Sequence, residues 1–138
     1  MQVEVYSDTV CPWCFIGKRR FALARRQRPQ LNIEVSWRAF ELNPDLATDG
    51  MDRDQYLMRK FGDPGRLQER HENLREAGAA LGIQFRFDLI RRMPNSRASH
   101  ALLAFARVRV GRRRSARLCS ARTSNAVAIL VIPTFSWM

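Results

Sequence analysis

Two of the three cysteines in this 138-residue chain stand three positions apart, in the run Val5-Tyr-Ser-Asp-Thr-Val-Cys-Pro-Trp-Cys-Phe-Ile-Gly-Lys-Arg-Arg-Phe21. Thiols at this spacing can form half of a metal site or exchange with disulfides. A zinc site needs a second half, and only Cys119, His71 and His100 remain to supply it, each isolated in sequence. No metal is therefore expected. Disulfide exchange needs a thiolate, and a thiolate needs something that stabilises negative charge. The first turn of a helix offers unpaired N–H groups and the positive end of the helix dipole. On this reading Cys11 is the exposed, acid-shifted nucleophile. Cys14, one turn further in, is the shielded partner that resolves a mixed disulfide. Pro12 and Trp13, between them, tune the reduced form against the oxidised one and are candidate substrate contacts. The competing reading is that both cysteines simply pack in a core.

The surrounding elements must put Cys11 at a helix start, and the pattern does so. Gln2 to Ser7 alternates apolar and polar residues as a strand does. Asp8 and Thr9 carry turn and cap chemistry, and Pro12 suits the first helical position, where its missing N–H is harmless. The helix should run to about Gln27, before Pro29. Leu31 to Trp37 alternates again, continuing through Phe40 and Leu42. Strand, helix, strand makes a βαβ unit with parallel strands.

A helical block follows. Met51 to Phe61 is a short helix candidate. Asp63-Pro64 is a cap with proline behind it, opening a helix with Leu67, His71, Leu74, Gly78 and Leu81 on one face and Gly82 at its end. A further helix is expected from Asn95 or Ser96, with Ala98, Ala101, Leu102, Phe105 and Val108 as its apolar stripe, stopping near Gly111. The expected organisation is an N-terminal βαβ unit over residues 1–45, an inserted helical domain over 46–110, and a basic tail over 111–138.

The total charge of +11 is unevenly spread: residues 89–138 hold ten arginines and no acid, so residues 1–88 are nearly balanced. Arg107, Arg109, Arg112, Arg113, Arg114 and Arg117 could neutralise phosphates, but no aromatic residue lies between Phe105 and Phe135 to stack bases. Specific nucleic-acid binding is not expected. The first residues lack a basic stretch followed by an apolar one, and no segment reaches bilayer length, so a cytoplasmic protein without membrane contact is expected. Three cysteines are too few for a disulfide scaffold.

Residues 1–106 resemble the DsbA-like thioredoxin superfamily, in particular its FrnE-like branch, related to 2-hydroxychromene-2-carboxylate isomerases and kappa-class glutathione transferases. The resemblance rests on Val5 to Phe21, Trp37-Arg-Ala-Phe-Glu-Leu-Asn-Pro44, Tyr56-Leu-Met-Arg-Lys-Phe-Gly62 and Met93-Pro-Asn95 with His100. It implies an α/β thioredoxin-like fold with an inserted α-helical domain. It also implies a Cys11/Cys14 dithiol exchanging with a protein or small-molecule disulfide, no bound cofactor, and glutathione at most as a co-substrate. Its transferase and isomerase branches carry serine where Cys11 stands, so the intact pair favours the oxidoreductases. A glutathione-dependent isomerase or transferase, or an inactive fragment with a basic tail, are the alternatives.

The resemblance further implies a cis-proline loop facing Cys11. Ile132-Pro133-Thr-Phe135 resembles that loop, making Ile132 and Pro133 candidate substrate contacts. Yet completing the sheet after Gly111 takes about 50 residues at ordinary element lengths, more than the chain has left. The C-terminal half of the sheet is therefore expected to be incomplete, and a truncated or misframed reading from near Val108 would explain the acid-free composition. Asn95 and His100 fall in a block resembling the family's substrate-side helix, although Asn95 equally suits a helix cap and His100 a cap or surface position. His71, on an apolar stripe, reads as a packing residue. Trp13 and Phe15 could form a docking surface or pack.

Overall fold

The computed structural model describes residues 1–118, with side chains through Arg109. The expected βαβ unit is present. Strand β1 (Gln2–Ser7) leads into helix α1 (Pro12–Gln27), and β2 (Glu34–Ala39) returns beside β1 in parallel, in register from Gln2 opposite Glu34 to Ser7 opposite Ala39. Pro12 is at the start of α1, as its fixed φ and missing donor favour. The strand predicted to continue through Phe40 and Leu42 stops at Ala39 because its backbone groups find other partners. The Leu42 N–H donates to Asp8 Oδ2 (2.7 Å), and the Phe40 carbonyl accepts from His100 Nε2 (3.1 Å).

The segment between β2 and the last helix holds α2 (Arg53–Phe61), α3 (Pro64–Ala79) and a short 3-10 turn, Phe87–Leu89. Met51 and Asp52, expected to be helical, form a two-residue strand β3 antiparallel to β4 (Arg92–Met93). Asp52 is the cap of α2, its Oδ1 accepting from the Asp54 and Gln55 N–H groups, both at 3.0 Å. Gly50 precedes this pairing at φ +77°, where any Cβ would collide with the Met93 carbonyl oxygen. Asp63 caps α3 as expected, and Gly82, at φ +69°, lies in the turn that closes it.

The core is small. Ile16 from α1, Leu74 from α3, Ile83 and Phe87 make one buried cluster, with Phe15, Ala77, Leu81, Phe85 and Ile90 packed against it. His71 is a packing residue here: its ring stacks on Phe87 with centroids 4.3 Å apart. Its Nε2 lies 3.2 Å from Arg53 Nη2, and since a guanidinium can only donate, that nitrogen carries the lone pair. Burial, then the Arg53 and Arg75 charges, lower the His71 pKa.

The last helix, α4 (Arg97–Leu118), passes the expected stop near Gly111. A single interior glycine costs a helix only about 1 kcal/mol, too little to end one that continues into Arg112, Arg113 and Arg114. Its apolar stripe is a larger correction. Leu102, Phe105 and Val108 are 54–58% exposed, while Ser96 and His100 are buried and Leu103 and Ala106 partly so. Polar anchors set the rotation: His100 reaches the Phe40 carbonyl, and Arg107 Nη1 donates to the Trp37 carbonyl (2.6 Å). The Val127–Val131 strand and the loop at Ile132 and Pro133 lie outside the described residues.

Ile16 is 1% exposed and joins α1 to α3 through the core. Ile16→Ala is expected to destabilise the chain by about 2–5 kcal/mol in denaturant unfolding. Gly78→Ala is expected to destabilise despite alanine's better helix propensity. The new methyl would sit 2.7 Å from Phe85 Cε2 and 3.1 Å from the Ile83 carbonyl oxygen, and such overpacking costs about 1–3 kcal/mol. A midpoint equal to or above wild type would contradict this packing.

Candidate active site

Cys11 is the residue on which α1 is capped. It has extended backbone angles, φ −92° and ψ 112°, and its Sγ accepts from the Cys14 N–H at 3.4 Å. The Cys11 N–H donates to the Asp8 carbonyl at 3.3 Å, closing the turn between β1 and α1. Asp8 and Thr9 thus shape the turn, while the cap itself is the cysteine. Cys11 and Cys14 are both free thiols and both partly buried, so the expected contrast between an exposed and a shielded sulfur is absent. Trp13, between them, is 51% exposed and faces solvent beside the sulfurs. Phe15 is committed to packing, edge-on to Phe85 at 6.4 Å.

The electrostatic expectation for Cys11 is reversed. Burial is the largest influence, and with the hydrogen bond to the Cys14 thiol it pushes the Cys11 thiol up to about 11. The Cys14 and Trp13 N–H groups pull the other way and are outweighed. The helix start therefore supplies donors to the sulfur, but too little solvent reaches it for those donors to hold it anionic at neutral pH. Cys11 is thus primed by geometry rather than by charge.

The remaining candidates separate. His100 is neither a cap nor on the surface: it is 9% exposed, with Nε2 3.1 Å from the Phe40 oxygen and 3.3 Å from Asp8 Oδ1. It is brought to the turn that carries Cys11. Asn95 has both ends of its amide occupied in the scaffold. Its Oδ1 accepts from the Arg97 N–H (2.8 Å) at the start of α4, and its Nδ2 donates to the Leu46 carbonyl (2.6 Å). Ile132 and Pro133 fall outside the described residues.

Sequence reasoning missed the part played by Asp8, which it treated only as a turn residue. Its side chain is fully buried and accepts from the Val10 N–H (3.3 Å) and the Leu42 N–H (2.7 Å), with His100 Nε2 3.3 Å from its Oδ1. The available signal was its position three residues before the first cysteine.

Among the described residues no group of three or more His, Cys, Asp or Glu side chains could hold a metal ion. No described helix is long and apolar enough to cross a membrane. A cavity of about 130 Å³ between α2 and α3, lined by Leu57, Met58, Pro64 and Leu67 among others, includes none of the candidate site residues.

Residues 2–128 match the DSBA-like thioredoxin domain. A probable DsbA oxidoreductase from Streptomyces coelicolor shares the fold at a TM-score of 0.69 and 35% identity, over 79% of this chain and 47% of its own. The Bacillus subtilis protein YwbO, itself uncharacterized, is 29% identical over 87 residues, which are 63% of this chain and 38% of YwbO. The chain thus spans less than half the length of either. The mixed α/β arrangement of the described residues matches the DsbA-like thioredoxin fold.

A thiol held near 11 has a thiolate fraction that grows about tenfold with each pH unit below that value. The rate of Cys11 alkylation by iodoacetamide, followed by peptide mass mapping, is therefore expected to climb without a plateau from pH 6 to pH 9. Levelling of the rate between pH 6 and pH 8 would show a sulfur already ionised, contrary to the burial described.

Proposed function

The chain belongs to the DSBA-like thioredoxin domain family, a family of thiol–disulfide oxidoreductase type, and on that premise we propose that Cys11 and Cys14 are its exchanging dithiol. The observation that carries this reading is the place of Cys11 as the cap of α1, its sulfur taking the Cys14 N–H one turn into the helix. The blocks around Trp37, Tyr56 and Met93 favour the FrnE-like branch.

In the proposed reaction Cys11 loses its proton to solvent and its sulfur attacks one sulfur of a substrate disulfide. The other substrate sulfur leaves as a thiolate and takes up a proton, and a mixed disulfide remains. Cys14, deprotonated in turn, attacks the Cys11 sulfur and expels the second substrate thiolate. The substrate gains two electrons and two protons, and the dithiol becomes the Cys11–Cys14 disulfide. An external thiol such as glutathione then reopens that bond.

The neutral state of Cys11 supports a direction for this flow. A pair is oxidising when its reduced form is stabilised as a thiolate. Here burial withholds that stabilisation, so closure to the disulfide is favoured and the pair is read as an electron donor. Protein disulfides are the substrates this reading favours, because Trp13 offers an exposed apolar surface beside the sulfurs.

Reduction of insulin disulfides in the presence of an external thiol is the direct test. The expressed chain is expected to reduce insulin, Cys11→Ser to lose essentially all of this activity, and Cys14→Ser to stall as a mixed disulfide visible by mass. Equal turnover in all three would remove the redox assignment. A glutathione-dependent transfer or isomerisation that survives Cys11→Ser would point to the alternative branch of the superfamily.

A further inference from the structure

Asp8 is 2% exposed, its side chain entirely out of solvent, immediately before the turn that ends in Cys11. A carboxylate buried in this way is retained only where donors satisfy its oxygens. Two are backbone N–H groups, from Val10 in the turn and from Leu42 beyond β2. His100, in the first turns of α4, lies beside them. Because the Phe40 oxygen can only accept, His100 Nε2 carries a proton that it donates to Phe40 O at 3.1 Å, and the same nitrogen lies against Asp8 Oδ1 at 3.3 Å.

A second tie runs beside the first, one residue along on each element. Ser99 Oγ donates to the Ser96 carbonyl (2.7 Å), which leaves it to accept from the Thr9 hydroxyl at 2.6 Å. Consecutive residues of the Cys11 turn, Asp8 and Thr9, are thus held against consecutive residues of α4, His100 and Ser99. Ser96 and His100 are both buried in this contact. None of these side chains hydrogen-bonds to either sulfur, so whatever they do for the chemistry they do through the backbone of the turn.

We infer that Asp8 and His100, seconded by Thr9 and Ser99, are positioning residues for the dithiol: a clamp by which α4 holds the Asp8–Cys11 turn where Cys14 can reach the Cys11 sulfur. The inference rests on the reading of Cys11 and Cys14 as an exchanging pair. The step it governs is the intramolecular one. Attack by Cys11 on a substrate is bimolecular and needs only an accessible sulfur. Attack by Cys14 on Cys11 depends on how long the two sulfurs are kept at bonding distance, and lost orientation costs such steps orders of magnitude.

The two steps separate in the reaction with 5,5′-dithiobis(2-nitrobenzoate), run on the full chain in a Cys119→Ser background. The first aryl thiolate is released when Cys11 attacks and the second when Cys14 expels it from the mixed disulfide. His100→Leu is expected to slow the second release about tenfold and to leave the first within about threefold. His100→Gln, which can place an amide N–H where Nε2–H stood, is expected to stay within about twofold of wild type in both. Thr9→Val, which removes only the exposed tie, is expected to slow the second release about threefold.

Unchanged second release in Thr9→Val together with a folded His100→Leu overturns the clamp, as does a His100→Gln variant as slow as His100→Leu. Should His100→Leu fail to fold by circular dichroism, Thr9→Val decides: slowed second release supports the clamp and unchanged release overturns it. A wild-type chain that shows the predicted two-phase pattern but reduces no insulin overturns the oxidoreductase reading alone. Insulin reduction with a second phase indifferent to Thr9 and His100 overturns the clamp alone.

Discussion

The buried carboxylate of Asp8 is the constraint around which the active turn is organised. A carboxyl group cut off from water is tolerated only when polar partners are brought to it, and here they come from the turn itself, from just beyond β2 and from α4. Meeting that requirement decides where β2 stops, how α4 is rotated and where Cys11 falls relative to the helix it caps. The apolar core of Ile16, Leu74, Ile83 and Phe87 holds the helices together but is too small to dictate these details. The exposed Leu102, Phe105 and Val108 show which influence prevailed in α4: the helix turns its polar anchors inward and leaves the larger apolar side chains in solvent.

Local rules explain why so much of the βαβ unit was legible beforehand. Alternation in Gln2–Ser7, proline at the first position of α1 and Asp63-Pro64 ahead of α3 each encode their element within a few residues, and the boundaries of β1 and α1 coincide with those read from sequence. The failures are all non-local. Met51 and Asp52 pair with Arg92 and Met93, more than 35 positions away, which no local pattern can reveal. The apolar stripe of α4 is a correct periodicity assigned to the wrong face, because the partners of α4 are Trp37 on β2, Phe40 just beyond it, and Asp8 and Thr9 in the turn after β1. His100 could be tied to the site only by resemblance, and its actual bonds to Asp8 and Phe40 are long-range contacts.

The place of Cys11 at the start of α1 was legible in the sequence, and its burial was not. The spacing of Cys11 and Cys14 does put one thiol at the helix start with the other one turn on. A helix terminus, however, stabilises an anion only in proportion to what desolvation leaves, and burial is the property that a sequence reports least well. The raised Cys11 pKa shifts the emphasis from activation of one sulfur to the arrangement of two. The Phe15–Phe85–Phe87 contacts beneath α1 fit that emphasis, since they secure the residue adjoining Cys14 against the helical segment.

The polar partners of Asp8 come from near the beginning, the middle and the far part of the described chain. Closing such widely separated segments onto one point carries an entropic penalty that local helix formation does not, and contacts of this kind tend to form late. Helix α1 can therefore take shape with Cys11 and Cys14 already aboard while the pocket for the carboxylate is still open. The final placement of the two sulfurs then arrives only when α4 docks, so the disulfide exchange proposed for them would belong to the finished fold and not to the emerging chain.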